Sequence, residues 1–180
     1  MAITERYRLP LVALASLAIG VLVVGASLLA GGVTPGGSPS PVTATASPKQ
    51  TDPGSTPESA TRAFFAAFAG ARQTNEATLI APFVTGKESS AYLTVFGFLE
   101  GQKALGKASV ITTNELLDVV VDVQGASATM TCRQVLGGYD IDATTGQPRE
   151  SPTILPATQF TLVLRQLNGR WLVDSFKALP

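Results

Sequence analysis

Few residues of this chain have the type and spacing that chemistry needs. Gly101 and Gly106-Lys107, in "GQKALGKAS", stand at the spacing of a phosphate-binding loop. The next position must offer a hydroxyl to magnesium, and it is Ala108. The segment also leaves a helical pattern and enters an extended one, the reverse of the order that loop requires. Asp140 and Asp142 form an Asp-x-Asp pair without the further oxygen ligands of a calcium loop. Asp118, Asp122 and Asp174 alternate with apolar neighbours, which places them on the wet faces of strands. The chain contains no histidine. Ser-His-Asp and Cys-His machinery is thereby excluded, together with the usual transition-metal ligand sets. Cys132 is the single cysteine, so no intrachain disulfide forms, and with Met130 two positions earlier it reads as a small buried hydrophobe. No catalytic residue, cofactor site or metal site is assigned.

Charge excludes another class. From Thr56 onward ten basic side chains face eleven acidic ones, which provides no field for a polyanion. Nucleic acid is not an expected partner.

The elements that position these residues begin at Thr56-Pro57-Glu58, a helix start with a capping hydroxyl and proline at the first helical position. Ala60, Phe64, Ala67, Phe68 and Ala71 then recur at spacings of three and four and form one apolar face. A second helical piece follows Thr74 and runs to about Ala81, where Pro82 should end it. A third spans Ser89 to Leu105, with Tyr92, Val95, Phe96 and Leu99 as its buried stripe and Gly106 as a left-handed stop.

After Gly106 the period becomes two. Leu117, Val119, Val121 and Val123 are expected to face inward, and Gln124-Gly125 offers a turn into a strand from Ala126 to Leu136. Asn168-Gly169 is a strong hairpin signal, because a two-residue primed turn needs positive φ at both positions. Counting outward pairs Leu167 with Arg170, Gln166 with Trp171, Leu164 with Val173 and Leu162 with Ser175. One face then carries Phe160, Leu162, Leu164, Trp171 and Val173, and Phe176 falls on the other, where Arg165 lies diagonal to Asp174. Gly137 to Pro156 is expected to form a protruding hairpin that extends the neighbouring strands.

Before the domain, residues 9–30 are apolar and uncharged, long enough to cross a bilayer as a helix. Arg6 and Arg8 precede them and no basic residue follows until Lys49, so residues 1–8 are expected in the cytoplasm and the rest outside it. A cleaved secretory signal, cut before Ser27, is the alternative, and both readings export the domain. Residues 31–55, rich in Gly, Pro, Ser and Thr, read as a disordered tether, and residues 56–180 as the exported domain.

Helices followed by an antiparallel sheet ending in "NGRWLVDSF" give an α+β layout: two or three helices packed on a curved sheet of about four strands. From Thr56 to Pro180 the chain resembles the nuclear-transport-factor-2-like (NTF2-like) superfamily of cystatin-like cones. Gly169, Arg170, Trp171 and Val173 match the terminal hairpin of that group. Closest in architecture are membrane-anchored members of the mammalian-cell-entry-associated type. The resemblance implies a pocket between helices and sheet, for which Phe64, Phe68, Phe96, Leu162, Leu164 and Trp171 are the candidate lining residues. Two functions are therefore expected. The first is a non-catalytic, membrane-anchored domain that binds a protein partner or assembles an envelope complex. The second is a carrier of a small apolar ligand, with an isomerase-like enzyme third.

Overall fold

The structure is a computed structural model and describes residues 52–179. The expectations for residues 1–8 and 9–30, and most of the tether 31–55, lie outside the described residues. Among the described residues no helix is long and apolar enough to cross a membrane.

Helix α1, Pro57–Thr74, starts at a reciprocal cap. The Ser59 amide donates to Thr56 Oγ1 at 3.1 Å, the Thr56 amide donates to Ser59 Oγ at 3.0 Å, and Pro57 takes the first helical position. Asn75 ends the helix in a left-handed conformation (φ 57°), and its side-chain amide donates to Lys107 O at 2.8 Å. The buried face carries Thr61 and Phe65 as well as Ala60, Phe64 and Ala71. A 3₁₀ helix follows at Ala77–Phe83. Pro82 lies within it rather than ending it, since the last turn of so short a helix has little hydrogen bonding for proline to remove.

Helix α2, Ser90–Ala104, is capped by Ser89, whose hydroxyl accepts the Tyr92 amide at 3.2 Å, and is stopped near Gly106 at φ 62°. Ala91, Tyr92, Val95, Leu99 and Gln102 are buried. Phe96, expected among them, is instead 46% exposed and stacks on Tyr92. Leu93, Phe98 and Leu105 are exposed too. With apolar residues on most of its circumference, periodicity alone does not select the face of this helix that meets the sheet.

The antiparallel sheet has five strands: β1 (Lys107–Gln124), β2 (Ser127–Asp142), β3 (Thr153–Ile154), β4 (Thr158–Leu167) and β5 (Arg170–Ala178). Their order is β1-β2-β4-β5, with β3 pairing to β2. Two register shifts interrupt β1. At the second, Leu117 pairs with Arg133 and Val120 with Thr131, so β1 holds one extra residue, and Asp118 has φ 50°. The bulge corrects the expected inward face. Leu117 shares the outer side with Arg133 and is 39% exposed, while Val119 packs on the core. Val121 and Val123 pair with inward Met130 and Ala128, yet remain exposed on the edge strand.

The β4–β5 hairpin turns at Asn168 and Gly169, both at positive φ, and the first four pairs fall where counting puts them. A register shift beyond Leu164 then leaves Asp174 without an opposite residue. Leu162 therefore faces Phe176, not Ser175, and Phe176 swings to the helix side, 5.2 Å from the Phe64 ring. The diagonal ion pair of Arg165 with Asp174 forms at 3.3 Å. The segment after Gly137 does make a protruding hairpin: β2 runs on to Asp142, Ile141 pairs with Pro148, and β3 folds back on Gly137 and Gly138.

Residues 52–55, assigned to the tether, belong to the fold instead. The Trp171 amide donates to Gly54 O at 2.8 Å and Arg170 Nη2 to Pro53 O at 3.1 Å. Gly54 is buried at φ 94°, where a side chain would be strained and crowded against Trp171 O. Between the helices and the sheet, Phe64, Ile80, Val95, Met130, Leu162, Leu164 and Val173 are fully buried. Each such side chain contributes roughly 1.5–3 kcal/mol on leaving water.

Candidate functional site

The same packing leaves one end of the helix–sheet layer unfilled. Phe68 on α1, Phe98 on α2, Phe160 on β4 and Phe176 on β5 wall a cavity of about 240 Å³. Leu136 and Leu155 close its far side, and Thr94, Gln134 and Thr158 supply polar edges. The rings hold one another edge to face, Phe68 to Phe98 at 5.6 Å and Phe68 to Phe176 at 6.2 Å, a preferred arrangement of aromatic quadrupoles. Gln134 is fixed from below. Its amide donates to Asn114 Oδ1 at 2.7 Å, and Asn114 donates to Phe65 O at 3.1 Å.

Arg72, one turn beyond Phe68 on α1, lies where this cavity adjoins a second of about 70 Å³ bounded by Ser109, Tyr139, Asp140, Glu150 and Leu155. Its guanidinium carbon sits 5.0 Å from the centre of the Phe98 ring. Nη2 reaches Ser109 Oγ at 3.4 Å, and Nε, out of solvent reach, has no hydrogen-bond partner among the described residues. Burial holds the Arg72 guanidinium below its ordinary pKa, an effect that the nearby charge of Asp140 opposes.

Asp140 is committed elsewhere. Ser109 Oγ donates to its Oδ1 at 2.6 Å, while Lys107 Nζ pairs with Oδ2 at 2.5 Å. Ser109 in turn accepts from Gln102 at 2.6 Å. Burial alone would raise the Asp140 carboxyl. The hydrogen bonds from Lys107 and Ser109 and the charges of Lys107 and Arg72 outweigh it and hold the group below the usual range. Asp142 is lowered mainly by Arg149, with help from the Thr145 and Thr144 amides. Neither carboxylate has the free oxygen and raised pKa of a general base. Among the described residues, no three of His, Cys, Asp or Glu stand together as metal ligands. The site can enclose and orient a molecule.

The six lining residues named from sequence part company. Phe68 lines the cavity. Phe64, Leu162 and Leu164 have no exposure and form filled core, and Trp171, 6% exposed, packs in that core beside Gly54. Phe96 lies outside on α2. Arg72, Phe98 and Gln134 were not singled out. The available signal was Arg72 at four residues from Phe68, a cation beside the apolar stripe of α1. Asp118 pairs with Arg133 on an exposed surface, and Asp174 accepts from Thr85 at 2.7 Å. Cys132 is buried.

No protein family and no curated protein matches the sequence. Solved structures do match in shape. The intermembrane-space region of the chloroplast protein ARC6 aligns with a TM-score of 0.52 at 10% identity, over 68% of this chain and 92% of that one. An NTF2-like protein with a cystatin-like fold from Novosphingobium aromaticivorans aligns at 0.44 with 15% identity, over 68% and 80%. An NTF2-like protein from Cytophaga hutchinsonii aligns at 0.44 with 10% identity, over 68% and 97%. The structural neighbours thus include NTF2-like and cystatin-like proteins, and the likeness is one of fold.

Proposed function

We propose that this domain is a non-catalytic binding module held outside a cytoplasmic membrane, and that the aromatic cavity is its working site for a small, largely apolar ligand. One observation carries this reading. An unfilled volume of about 240 Å³ is walled by four phenylalanines, while the adjoining core of Phe64, Leu162 and Leu164 is closed. A solvent-open concavity lined mainly by aromatic rings with a few polar groups is the form that a small-molecule site takes. Thr94→Trp should fill the space from α2. The full-length chain, purified in a nonionic detergent and examined by native mass spectrometry, is expected to carry a small apolar molecule that the filled variant lacks. Equal occupancy in both proteins would refute the reading.

The membrane-anchored, mammalian-cell-entry-associated type of architecture remains part of this proposal. It is supported by the uncharged run 9–30 behind Arg6 and Arg8. Ser151→Cys, on an exposed segment, should react with an impermeant maleimide in intact cells. Protection there, with labelling only after lysis, would contradict export. Intact mass distinguishes a retained anchor from cleavage before Ser27.

A second reading, contact with a protein partner, is favoured by edge strand β1, where Val121 and Val123 are exposed on one face and Val120 on the other. A photocrosslinker at Val121 should then give one discrete adduct in intact cells; none would dismiss it.

A further inference from the structure

We infer that the ligand carries a carboxylate, which Arg72 binds at the inner end of the aromatic cavity. This rests on the cavity being the ligand site. Arg72 is the charged residue among those that line the aromatic cavity. A half-buried cation is costly unless an anion or good acceptors meet it. Arg72 has a 3.4 Å contact to Ser109 and nothing on Nε among the described residues. The nearest acid, Asp140, makes no hydrogen bond to Arg72 among the described residues: its oxygens take Lys107 and Ser109, and its charge reaches Arg72 only at longer range. The Phe98 ring centre lies 5.0 Å from the guanidinium carbon, and a carboxylate is the anion that takes guanidinium donors two at a time.

The surroundings narrow the class. Asp140 and Glu150 border the adjoining cavity, and Glu150 accepts the Asp140 amide at 3.1 Å. Their charges oppose a second negative charge near Arg72, so a monoanion suits the site better than a phosphate dianion. A ligand that fills the cavity of about 240 Å³ displaces several waters from it. With four ring faces and edges around it, a flat aromatic or alicyclic monocarboxylic acid fits.

The test titrates the full-length chain, in nonionic micelles, with 2-naphthoate and with neutral 2-naphthamide, by calorimetry. The acid should bind about tenfold tighter or better than the amide. Arg72→Gln should abolish that preference, and Arg72→Lys should keep part of it. Equal binding of acid and amide by the unaltered chain would overturn the carboxylate inference and leave the cavity reading intact. Failure of both to bind would overturn the cavity reading itself, and this inference with it. The comparison within the unaltered chain decides even where Arg72→Gln does not fold.

Discussion

Three phenylalanines that helical spacing treats alike have very different surroundings, and replacing each with alanine should separate them. Phe64 has no exposure, and its ring lies 5.5 Å from Phe65 and 5.2 Å from Phe176, both edge-on, and 6.4 Å from Phe68. A buried Phe→Ala change costs about 3–5 kcal/mol, and aromatic pairs add about 0.5–1.5 each, which places Phe64→Ala near the top of that range. Phe96 is 46% exposed and has the Tyr92 stack as its aromatic contact, so Phe96→Ala should cost below about 1 kcal/mol. Phe68 borders a void that already exists. Its loss enlarges that void rather than opening a new one, and about 2 kcal/mol is expected. The assay is urea unfolding of the chain, followed by the fluorescence of Trp171, which sits in the same core. Against a total of about 5–15 kcal/mol, Phe64→Ala removes a large share. If Phe64→Ala and Phe96→Ala fell within about 1 kcal/mol of each other, the division into closed core and open cavity would be wrong.

Other outcomes follow from single positions. A Cβ at Gly138 would lie 2.1 Å from Val110 O, whereas one at Gly169 meets open space at φ 78°. Gly138→Ala should therefore cost several kcal/mol and Gly169→Ala about 1–2, measured by denaturant midpoint; the reverse order would contradict the strand register. Asp140 titrates below the ordinary value of about 3.9, so its contribution is complete above that pH and fades as pH falls through the folded value. Asp140→Asn should destabilise the protein at neutral pH, by an amount that shrinks as the pH falls through the folded value; a difference that stays constant in acid would discount the Lys107 pairing. Cys132 is 2% exposed, and burial raises its thiol, against a smaller opposing effect of Arg62. It should resist a thiol-reactive disulfide reagent until the domain unfolds, and fast labelling of the folded protein would show that β2 opens.

Local chemistry accounts for what was legible in the sequence. Thr56, Pro57 and Ser89 cap helices through their own side chains or ring, and Asn168-Gly169 sets its own turn, so neighbours along the chain decide both features. The bulges at Asp118 and Asp174 were not legible, because neither position holds glycine and alternation runs through both without a break. One extra residue in each strand reassigned the faces of Leu117 and Phe176. Phe96 was misplaced for a related reason: α2 is apolar on several sides, and only the position of the sheet selects among them. The candidate site was the least visible. It draws on α1, α2, β2, β4 and β5, and Arg72 meets Ser109 and Asp140 only through tertiary packing.

The link between Gly54 and Trp171 also fixes how force would enter the domain. A pull on the chain ahead of Asp52 reaches the backbone of β5 beside its turn before it reaches α1. The Gly54 carbonyl and the Arg170 guanidinium must yield before tension can unwind the Thr56 cap. Strain from an anchoring segment would thus be met first by the edge of the terminal hairpin, and the helix that carries Phe68 and Arg72 would be shielded until that latch gave way.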